Sequence, residues 1–339
     1  MAAPLGVAVL GCGRMGRRRA EAVARSPEAR LVAVADTDPD RAATLGKDLG
    51  VPVAASPEAA IADPNVGAVV ICTPNTLHAR LATAALDAGR HVFLEKPMAP
   101  TLAEARELVE RARAAGRLLC TGSNLRFFQN VRRAREIVRS GALGPLLFAR
   151  GWVGHDGWVL TTSPWSRDPA MIGEGGTLLD NGCHIIDVSR WVLGAEPVEA
   201  EGTAFHRLHE LPPSIEDNFV GLLTLTGGVP LSFHCSWTEW NGYLYLEIYG
   251  ASGRLVIDSR GEAALCAFYP RKGDPEIADF AGAPRDSFAR EIGEFVRAAA
   301  GSSADLSLAT GADGERVIAA ITTLYRAARE QRRLPVPPA

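Results

Sequence analysis

The stretch Val7-Ala8-Val9-Leu10-Gly11-Cys12-Gly13-Arg14-Met15-Gly16 decides the fold, because it predicts a strand, a tight turn and the start of a helix. Its glycines follow the pattern G-x-G-x-x-G, which in this context is typical of the first turn of a dinucleotide-binding βαβ unit. We expect Gly11 to make the turn, Gly13 to let the backbone approach a pyrophosphate, and Gly16 to let the helix pack close to the strand. The helix N-terminus then offers N–H groups and a positive dipole end to the phosphates.

A second predicted strand, Leu31 to Asp36, ends in an acid twenty positions beyond Gly16. A carboxylate at this place accepts hydrogen bonds from the adenosine ribose hydroxyls. Asp36 and the nearby Asp38 would repel a 2′-phosphate, and no arginine directly follows Asp36. The sequence therefore predicts NAD as the cofactor in preference to NADP.

Strands and helices keep alternating up to about residue 120, which predicts an α/β fold with a doubly wound parallel sheet. The pivotal stretch is His91-Val92-Phe93-Leu94-Glu95-Lys96-Pro97-Met98-Ala99, a short buried strand that ends in Glu-Lys-Pro. Ligands bind at the carboxyl ends of such strands, so Lys96 can point its ammonium into a cleft. A solvated lysine in a turn is the alternative. Thr73-Pro74-Asn75 lies at the same edge and predicts either a ribose or nicotinamide contact or a turn with a helix cap.

After about residue 145, predicted strands are separated by turns rather than helices, which indicates a largely antiparallel sheet. Helices at about 284–299 and 310–329 close the chain. We predict an NAD-binding domain over residues 1–122 and a substrate and oligomerisation domain over 123–339, with the last helix able to pack back on the first domain. The aromatic residues of 237–245 fit an interface, and a homodimer or homotetramer is our hypothesis.

A glycine-rich loop, Gly173-Glu174-Gly175-Gly176, opens a predicted helix that runs to about Leu193. Asp180, His184 and Asp187 fall at i, i+4 and i+7, which places them on one stripe of this helix. Polar residues on a helix that is otherwise apolar indicate a cleft wall. An acid and a histidine one turn apart favour catalysis, although a histidine satisfied within the core fits the pattern equally well.

Composition excludes several classes of protein. The 339 residues carry a net charge of −3, which argues against general affinity for nucleic acid, and the cluster Arg17-Arg18-Arg19 is expected to form a solvated helix face. No apolar stretch reaches the roughly 18 residues of a membrane helix. The 6 cysteines have no paired spacing, which predicts neither disulfides nor a zinc site and favours a reduced, cytoplasmic protein.

Four features in this order resemble the Gfo/Idh/MocA family, which includes glucose–fructose oxidoreductase and inositol dehydrogenase. They are the glycine motif of residues 11–16, Thr73-Pro74-Asn75 with His78, Glu95-Lys96-Pro97, and the glycine loop with Asp180 and His184. The resemblance implies an N-terminal Rossmann domain and a C-terminal α/β domain with an open, mostly antiparallel sheet that commonly mediates oligomerisation.

The resemblance also implies roles for individual residues. Lys96 becomes the catalytic lysine, and Asp180 and His184 become the acid–base pair. The expected cofactor-binding residues are Gly11, Gly13, Arg14, Met15, Gly16, Asp36, Thr73, Pro74, Asn75, His78, Glu95 and Lys96. The expected substrate-binding residues are Lys96, Asn124, Arg126, His155, Trp165, Asp180 and His184. No resident metal is expected.

These features together predict an enzyme that moves a hydride between NAD and a secondary alcohol of a sugar or cyclitol. His184 would take the hydroxyl proton, Asp180 would orient the imidazole, and Lys96 would hydrogen-bond the reacting oxygen. The alternatives are an NAD-dependent glycosidase that acts by transient oxidation and elimination, or a nucleotide-sugar dehydrogenase. A non-catalytic NAD-binding regulator ranks last, because it has no need of Lys96, Asp180 and His184 together.

Overall fold

The computed structural model describes residues 3–284, 286–301 and 307–338 and divides the chain into two compact units. The first unit comprises Met1–Asn124 and Asp286–Glu315, and the second comprises Leu125–Arg285 and Arg316–Ala339. The sequence predicts that residues 123–339 form the second domain, with only the last helix able to pack back on the first. The segment from Asp286 joins the first unit instead, because its helix packs on the first helix of the chain and its strand pairs with that unit's sheet.

The first unit is a parallel sheet with helices, as the alternation of strands and helices predicts. Its strands are β1 (Leu5–Leu10), β2 (Ala29–Ala35), β3 (Ala68–Ile71), β4 (His91–Leu94), β5 (Leu119–Thr121) and β14 (Ala309–Thr310). Its helices are α1 (Arg14–Arg25), α2 (Pro39–Leu49), α3 (Pro57–Ala62), α4 (His78–Asp87), α5 (Leu102–Ala115) and α10 (Ser287–Ala299). Within the described residues the strand order is β14-β5-β4-β3-β1-β2, and β14 runs antiparallel to β5.

Burial explains why the parallel strands read as continuous apolar runs. The residues of β3, for example, are all fully buried, since helices cover both faces of such a sheet. Leu10 pairs with both Ala35 and Ile71, and Ile71 pairs with Leu94. The residues that follow these strands therefore lie along one edge, where the sequence predicts ligand binding.

The second unit is built on a mixed, mostly antiparallel sheet. Its strands are β6 (Leu146–Gly154), β7 (Pro197–Phe205), β8 (Asn218–Leu225), β9 (Val229–Ser236), β10 (Leu244–Gly250), β11 (Gly253–Asp258), β12 (Leu265–Pro270), β13 (Glu276–Asp279) and β15 (Leu334–Pro335). Their order among the described residues is β13-β12-β11-β10-β6-β9-β8-β7-β15, with β6 and β9 parallel and the other neighbours antiparallel.

Two helices pack on this sheet, α6 (Gln129–Arg139) on β11 and β12 and α9 (Cys183–Leu193) on β6. Two short helices, α7 (Val159–Thr162) and α8 (Pro169–Ile172), lie between β6 and α9 along the chain. The last helix, α11 (Gly311–Glu330), contributes its first residues to the first unit and the remainder to the second. Arg285, which falls in the predicted helix 284–299, lies outside the described residues. Among the described residues, no helix is long and apolar enough to cross a membrane.

The helix predicted to carry Asp180 and His184 differs from expectation at its start. A π-helical turn, Leu178–Gly182, precedes α9, and α9 ends at Gly194, whose φ of 63° closes the helix in the left-handed conformation. A π turn changes the angular phase of the residues that follow it, and such turns are frequent at functional sites. The regular i, i+4, i+7 stripe therefore does not describe how these side chains are arranged.

Candidate active site

The glycine motif adopts the geometry that its spacing predicts. Gly11 has a φ of 91°, and a Cβ there would lie 2.5 Å from the carbonyl oxygen of Cys72. A Cβ on Gly16 would lie 1.7 Å from the carbonyl oxygen of Gly11, so only glycine lets α1 approach this closely. A Cβ on Gly13 would meet nothing within 4 Å, which leaves open space in front of the turn. The turn and the start of α1, including Arg14 and Met15, thus fit a pyrophosphate.

Asp36 follows β2 and is hydrogen-bonded to the backbone of the glycine turn. Its carboxylate accepts hydrogen bonds from the N–H of Cys12 at 2.6 Å and from the N–H of Asp38 at 2.8 Å. Each carboxylate oxygen has further lone pairs, so Asp36 can also accept from ribose hydroxyls. The adjacent Cys12 is inert as a nucleophile, because burial and the charge of Asp36 raise the pKa of its thiol to about 12.

Two loops at the carboxyl edge of the sheet are tied together by His78. One ring nitrogen of His78 lies 2.8 Å from the carbonyl oxygen of Pro97, and the other lies 2.9 Å from that of Thr73. The side chain is buried, which lowers the pKa of the imidazole. His78 therefore positions Thr73-Pro74-Asn75 and the Glu-Lys-Pro turn, and its expected contact with the cofactor stays a prediction.

The Thr73 hydroxyl has an environment that the sequence alone does not reveal. Its hydroxyl oxygen is buried and has no hydrogen-bond partner among the described residues. Such an orphaned hydroxyl at the carboxyl edge fits a bound group that would complete its hydrogen bonding. Asn75 is also buried and begins a 3₁₀ turn that leads into α4, so the cap-and-turn alternative and a cofactor contact are compatible.

Glu95 and Lys96 follow β4 and have different environments. The Lys96–Pro97 peptide is cis, and the Lys96 side chain is half-buried. Glu95 is buried, and its carboxylate accepts from the Nε of Arg19 at 2.7 Å and from the N–H of Lys96 at 3.2 Å. Glu95 therefore supports the turn that bears Lys96, and its expected contact with the cofactor stays a prediction.

Arg19 corrects one expectation from the sequence. Rather than lying on a solvated face, its side chain is 1% exposed and joins Glu95 to Glu291 of α10. Burial opposes this charge, but Glu291 and Glu95 outweigh it and raise the pKa of Arg19. Local sequence does not reveal the pairing, because Glu291 is 272 positions away.

In the second unit, Asp180 is held by two side chains. Its Oδ2 accepts a hydrogen bond from the indole N–H of Trp237 at 2.9 Å and lies 3.3 Å from Nε2 of His155. The Nδ1 of His155 accepts from the N–H of Gly157 at 3.1 Å, so the neutral tautomer carries its proton on Nε2 and donates it to Asp180. We call Asp180, His184, His155 and Trp237 the acid–base cluster.

His184 lies in the first turn of α9 and is buried against the Tyr243 ring, with ring centroids 5.5 Å apart. His155 lies beside Trp158 at 4.8 Å. Aromatic rings next to imidazole and carboxylate groups suit a ligand that has both C–H and hydroxyl surfaces. Tyr243 thus contacts His184 of the cluster and Trp237 contacts Asp180, whereas the sequence associates the stretch of these two aromatic residues with an interface.

Other residues expected at the site have separate surroundings. Arg126 is 2% exposed and forms a bidentate pair with Asp187, at 2.8 and 2.5 Å, which argues against contact between Arg126 and a substrate. Asp187 is therefore the buried partner of Arg126, whereas the sequence places it on a cleft wall. Asn124 is half-buried and donates to the hydroxyl of Ser287 at 3.2 Å. Trp165 is half-buried in a 3₁₀ turn of residues 164–167.

Comparison with known proteins shows that two parts of the chain match the two domains of one protein family. Residues 5–123 match the model of the NAD-binding Rossmann fold of the Gfo/Idh/MocA oxidoreductases, and residues 131–256 match the C-terminal domain of the same group. A myo-inositol 2-dehydrogenase of Thermotoga maritima is 29% identical over 92% of both chains. A 1,5-anhydro-D-fructose reductase of Ensifer adhaerens is 31% identical over 73% of this chain and 74% of the other.

Solved structures agree with this placement. The crystal structure of GenD2 from gentamicin A biosynthesis, in complex with NAD, superposes with a TM-score of 0.85 at 27% identity. The match covers 100% of this chain and 98% of that one. The chemistry of the glycine turn, of Asp36 and of the orphaned Thr73 hydroxyl is consistent with the cofactor of that complex.

Proposed function

The chain belongs to the Gfo/Idh/MocA family of NAD-binding sugar and cyclitol oxidoreductases, and from this premise we propose that it oxidises a secondary alcohol of an uncharged cyclitol or sugar. The observation that carries the proposal is the acid–base cluster, in which a buried histidine lies on the segment that presents a fixed carboxylate. Dehydrogenation of an alcohol needs such a pair to accept the hydroxyl proton.

NAD held by the glycine turn and Asp36 would supply the acceptor for the hydride of the carbinol carbon. His184 takes the hydroxyl proton, a task suited to an imidazole because it titrates near neutrality. Asp180 supports the developing positive charge, and the indole N–H of Trp237 keeps its carboxylate in place. Lys96 donates a hydrogen bond to the reacting oxygen and stabilises the negative charge that develops there. Glu95 and His78 hold the turn from which Lys96 acts.

An uncharged substrate is supported by the side chains of the cluster, where the imidazole of His155 and aromatic rings lie beside one carboxylate. Carboxylates and neutral imidazoles are good partners for sugar hydroxyls, whereas a diphosphate group calls for arginines. The two curated relatives named above, one acting on an inositol and one on an anhydro-sugar, support the same class.

The direct test is formation of NADH at mildly alkaline pH from NAD and a panel of inositols, free sugars, glycosides and nucleotide sugars. We expect net NADH with an inositol or a free or anhydro-sugar. Release of sugar from glycosides without net NADH would indicate a glycosidase and overturn the proposal. If the panel is silent while NAD binds, the regulator becomes the better explanation.

We further propose that two copies of this chain associate through the open face of the second unit's sheet. On this face Trp152 stacks on Tyr245 at 4.3 Å, and Phe148 stacks on Tyr249 at 4.4 Å. Between the two stacks, Arg150 pairs with Glu247 at 2.6 Å. A row of aromatic rings and paired charges that includes the exposed side chains of Phe148 and Arg150 is suited to a homo-oligomer interface. The 6 free cysteines support a reduced, cytoplasmic location.

A further inference from the structure

The glycine loop that leads into the Asp180 segment runs in direct contact with two polar side chains. Gly175 has a φ of 136°, and a Cβ there would lie 2.5 Å from the hydroxyl oxygen of Tyr325. A Cβ on Gly176 would lie 1.9 Å from the carbonyl oxygen of Glu216. The glycines therefore let the backbone reach Glu216 and Tyr325, which come from distant parts of the second unit.

Glu216 binds the three successive N–H groups at the start of this segment. Its carboxylate accepts from Gly176 and from Leu178, both at 2.8 Å, and its backbone carbonyl accepts from Thr177 at 3.0 Å. Tyr325 of α11 donates to the same carboxylate at 2.9 Å and lies 3.2 Å from the N–H of Gly176. A helix start needs such partners, because its first N–H groups have none within the helix.

This clamp is close to the acid–base cluster along the chain. Asp180 lies two positions after Leu178, and its own N–H donates to the carbonyl oxygen of Gly176 at 3.0 Å. The clamp therefore fixes the N-terminal end of the turn that presents the Asp180 carboxylate. Misplacement of a reacting group by about 1 Å can cost roughly 100-fold in rate, so the anchoring of this turn matters to catalysis.

Burying a carboxylate costs free energy, because its charged form loses its hydration. Glu216 is 3% exposed, and burial raises the pKa of its carboxyl to about 7 despite the donors that lower it. A role in packing alone is served as well by an apolar side chain of similar size. The Glu216 carboxylate thus indicates that this position needs an acceptor of several hydrogen bonds.

We infer that Glu216, supported by Tyr325, is a positioning residue that fixes the turn bearing Asp180 and the start of α9 bearing His184. The inference rests on the proposed function for the roles of those two residues. On this inference, Glu216 and Tyr325 hold the catalytic groups of the second unit in place, which neither the glycine loop nor α9 does alone.

Amide hydrogen exchange tests the clamp without any substrate. In Glu216→Gln and Glu216→Ala, we expect the amides of Gly176 and Leu178 to exchange roughly tenfold faster or more, while the amide of Thr177 changes less because its acceptor is backbone. Asp217→Asn is the matched control. The Asp217 carboxylate accepts from the N–H groups of the neighbouring loop, at Arg207, Leu208 and His209, so exchange there should rise while residues 176–178 stay protected.

The second part of the test measures activity. It uses the NAD-loaded enzyme and the polyol of the panel that reacts fastest. Glu216→Gln should lower kcat roughly tenfold or more, leave NAD affinity unchanged, and raise the kinetic isotope effect with carbon-deuterated polyol. Tyr325→Phe, which removes only one donor, should be milder. A fall in the folded fraction alone would not change the isotope effect.

The possible outcomes separate the two proposals. Unchanged exchange at Gly176 and Leu178 in both Glu216 variants overturns the clamp. If exchange is faster but kcat and the isotope effect remain those of the wild type, Glu216 is not a positioning residue, provided that His184→Ala is inactive. If His184→Ala keeps wild-type activity, the proposed function fails, while the exchange result still decides whether the clamp exists.

Discussion

At the scale of single residues, the chemistry of the candidate site divides between groups that react and groups that hold them. Lys96 and His184 are the reacting groups in our account, whereas His78, Glu95 and Trp237 hold loops or carboxylates in place. Sequence patterns identify the first kind more readily, because their spacing is local. The second kind depends on partners far along the chain, as the 57 positions between Trp237 and Asp180 illustrate.

Removing either reacting group should abolish most turnover. We expect Lys96→Ala and His184→Ala each to lower kcat by at least about 100-fold, the lower bound for general acid–base help, while NAD affinity stays close to that of the wild type. Steady-state rates and NADH fluorescence titration measure the two quantities. Lys47→Ala on α2 and His206→Ala just after β7, both at exposed positions, are matched controls that should keep full activity. A near-wild-type rate in either site variant would remove that residue from the mechanism.

Asp36 should determine cofactor choice. Loss of a charge-assisted hydrogen bond costs roughly 1.5–3 kcal/mol, so Asp36→Ala should raise the KM for NAD about tenfold or more. The loss of negative charge should also narrow the preference for NAD over NADP. Kinetics with both cofactors measure this, with Asp40→Ala as an exposed control. If the wild type has an equal or lower KM for NADP, Asp36 does not play this role.

At the scale of elements, the first unit depends on a helix from late in the sequence. Glu291 of α10 accepts from the N–H of Ser123 and from Arg19, both at 2.6 Å, and Arg19 continues to Glu95 beside Lys96. Burial and the charge of Glu95 raise the pKa of Glu291 to about 7, although Arg19 opposes this shift. The carboxyl group is therefore protonated more readily in the fold than in the unfolded chain.

This shift predicts how stability depends on pH. Between about pH 4.5 and pH 7 the unfolded chain releases this proton while the folded chain keeps it, so the free energy of unfolding falls as pH rises through that window. Glu291→Gln should remove a contribution on the order of 1–3 kcal/mol to that fall. Denaturant unfolding at pH 5 and pH 7.5 measures the change. Equal pH dependence in the variant and the wild type would contradict the assignment.

Prediction from sequence succeeded where elements have local signatures and failed where they do not. The strand–turn–helix of residues 7–16, the buried parallel strands and the Gly194 helix end are all local patterns, and the structure has them. The π turn before α9 is not foreseen, because no residue pattern in Leu178–Gly182 marks it. Arg126 and Asp187 form a buried pair across 61 positions, which no local spacing could reveal.

At the scale of the whole molecule, the open sheet face predicts association. A row of stacked aromatic side chains includes Phe148, which is 37% exposed, and the same face carries Val220, which is 47% exposed. We expect light scattering to give a dimeric or tetrameric mass for the wild type and a smaller mass for the double variant Phe148→Glu with Val220→Glu. Leu208→Glu, on an exposed loop, is the control. A monomeric wild type would contradict the interface.

The central claim is that this protein transfers a hydride from a polyol carbon to NAD with Lys96 and His184 as the acting side chains. The most direct measurement is deuterium transfer, in which enzyme and NAD are mixed with carbon-deuterated myo-inositol or anhydro-sugar and the NADH is analysed by mass spectrometry. We predict one deuterium in each NADH formed, with a matching amount of ketone, and none from His184→Ala. NAD that stays oxidised across the whole substrate panel, despite demonstrable binding, would contradict the account.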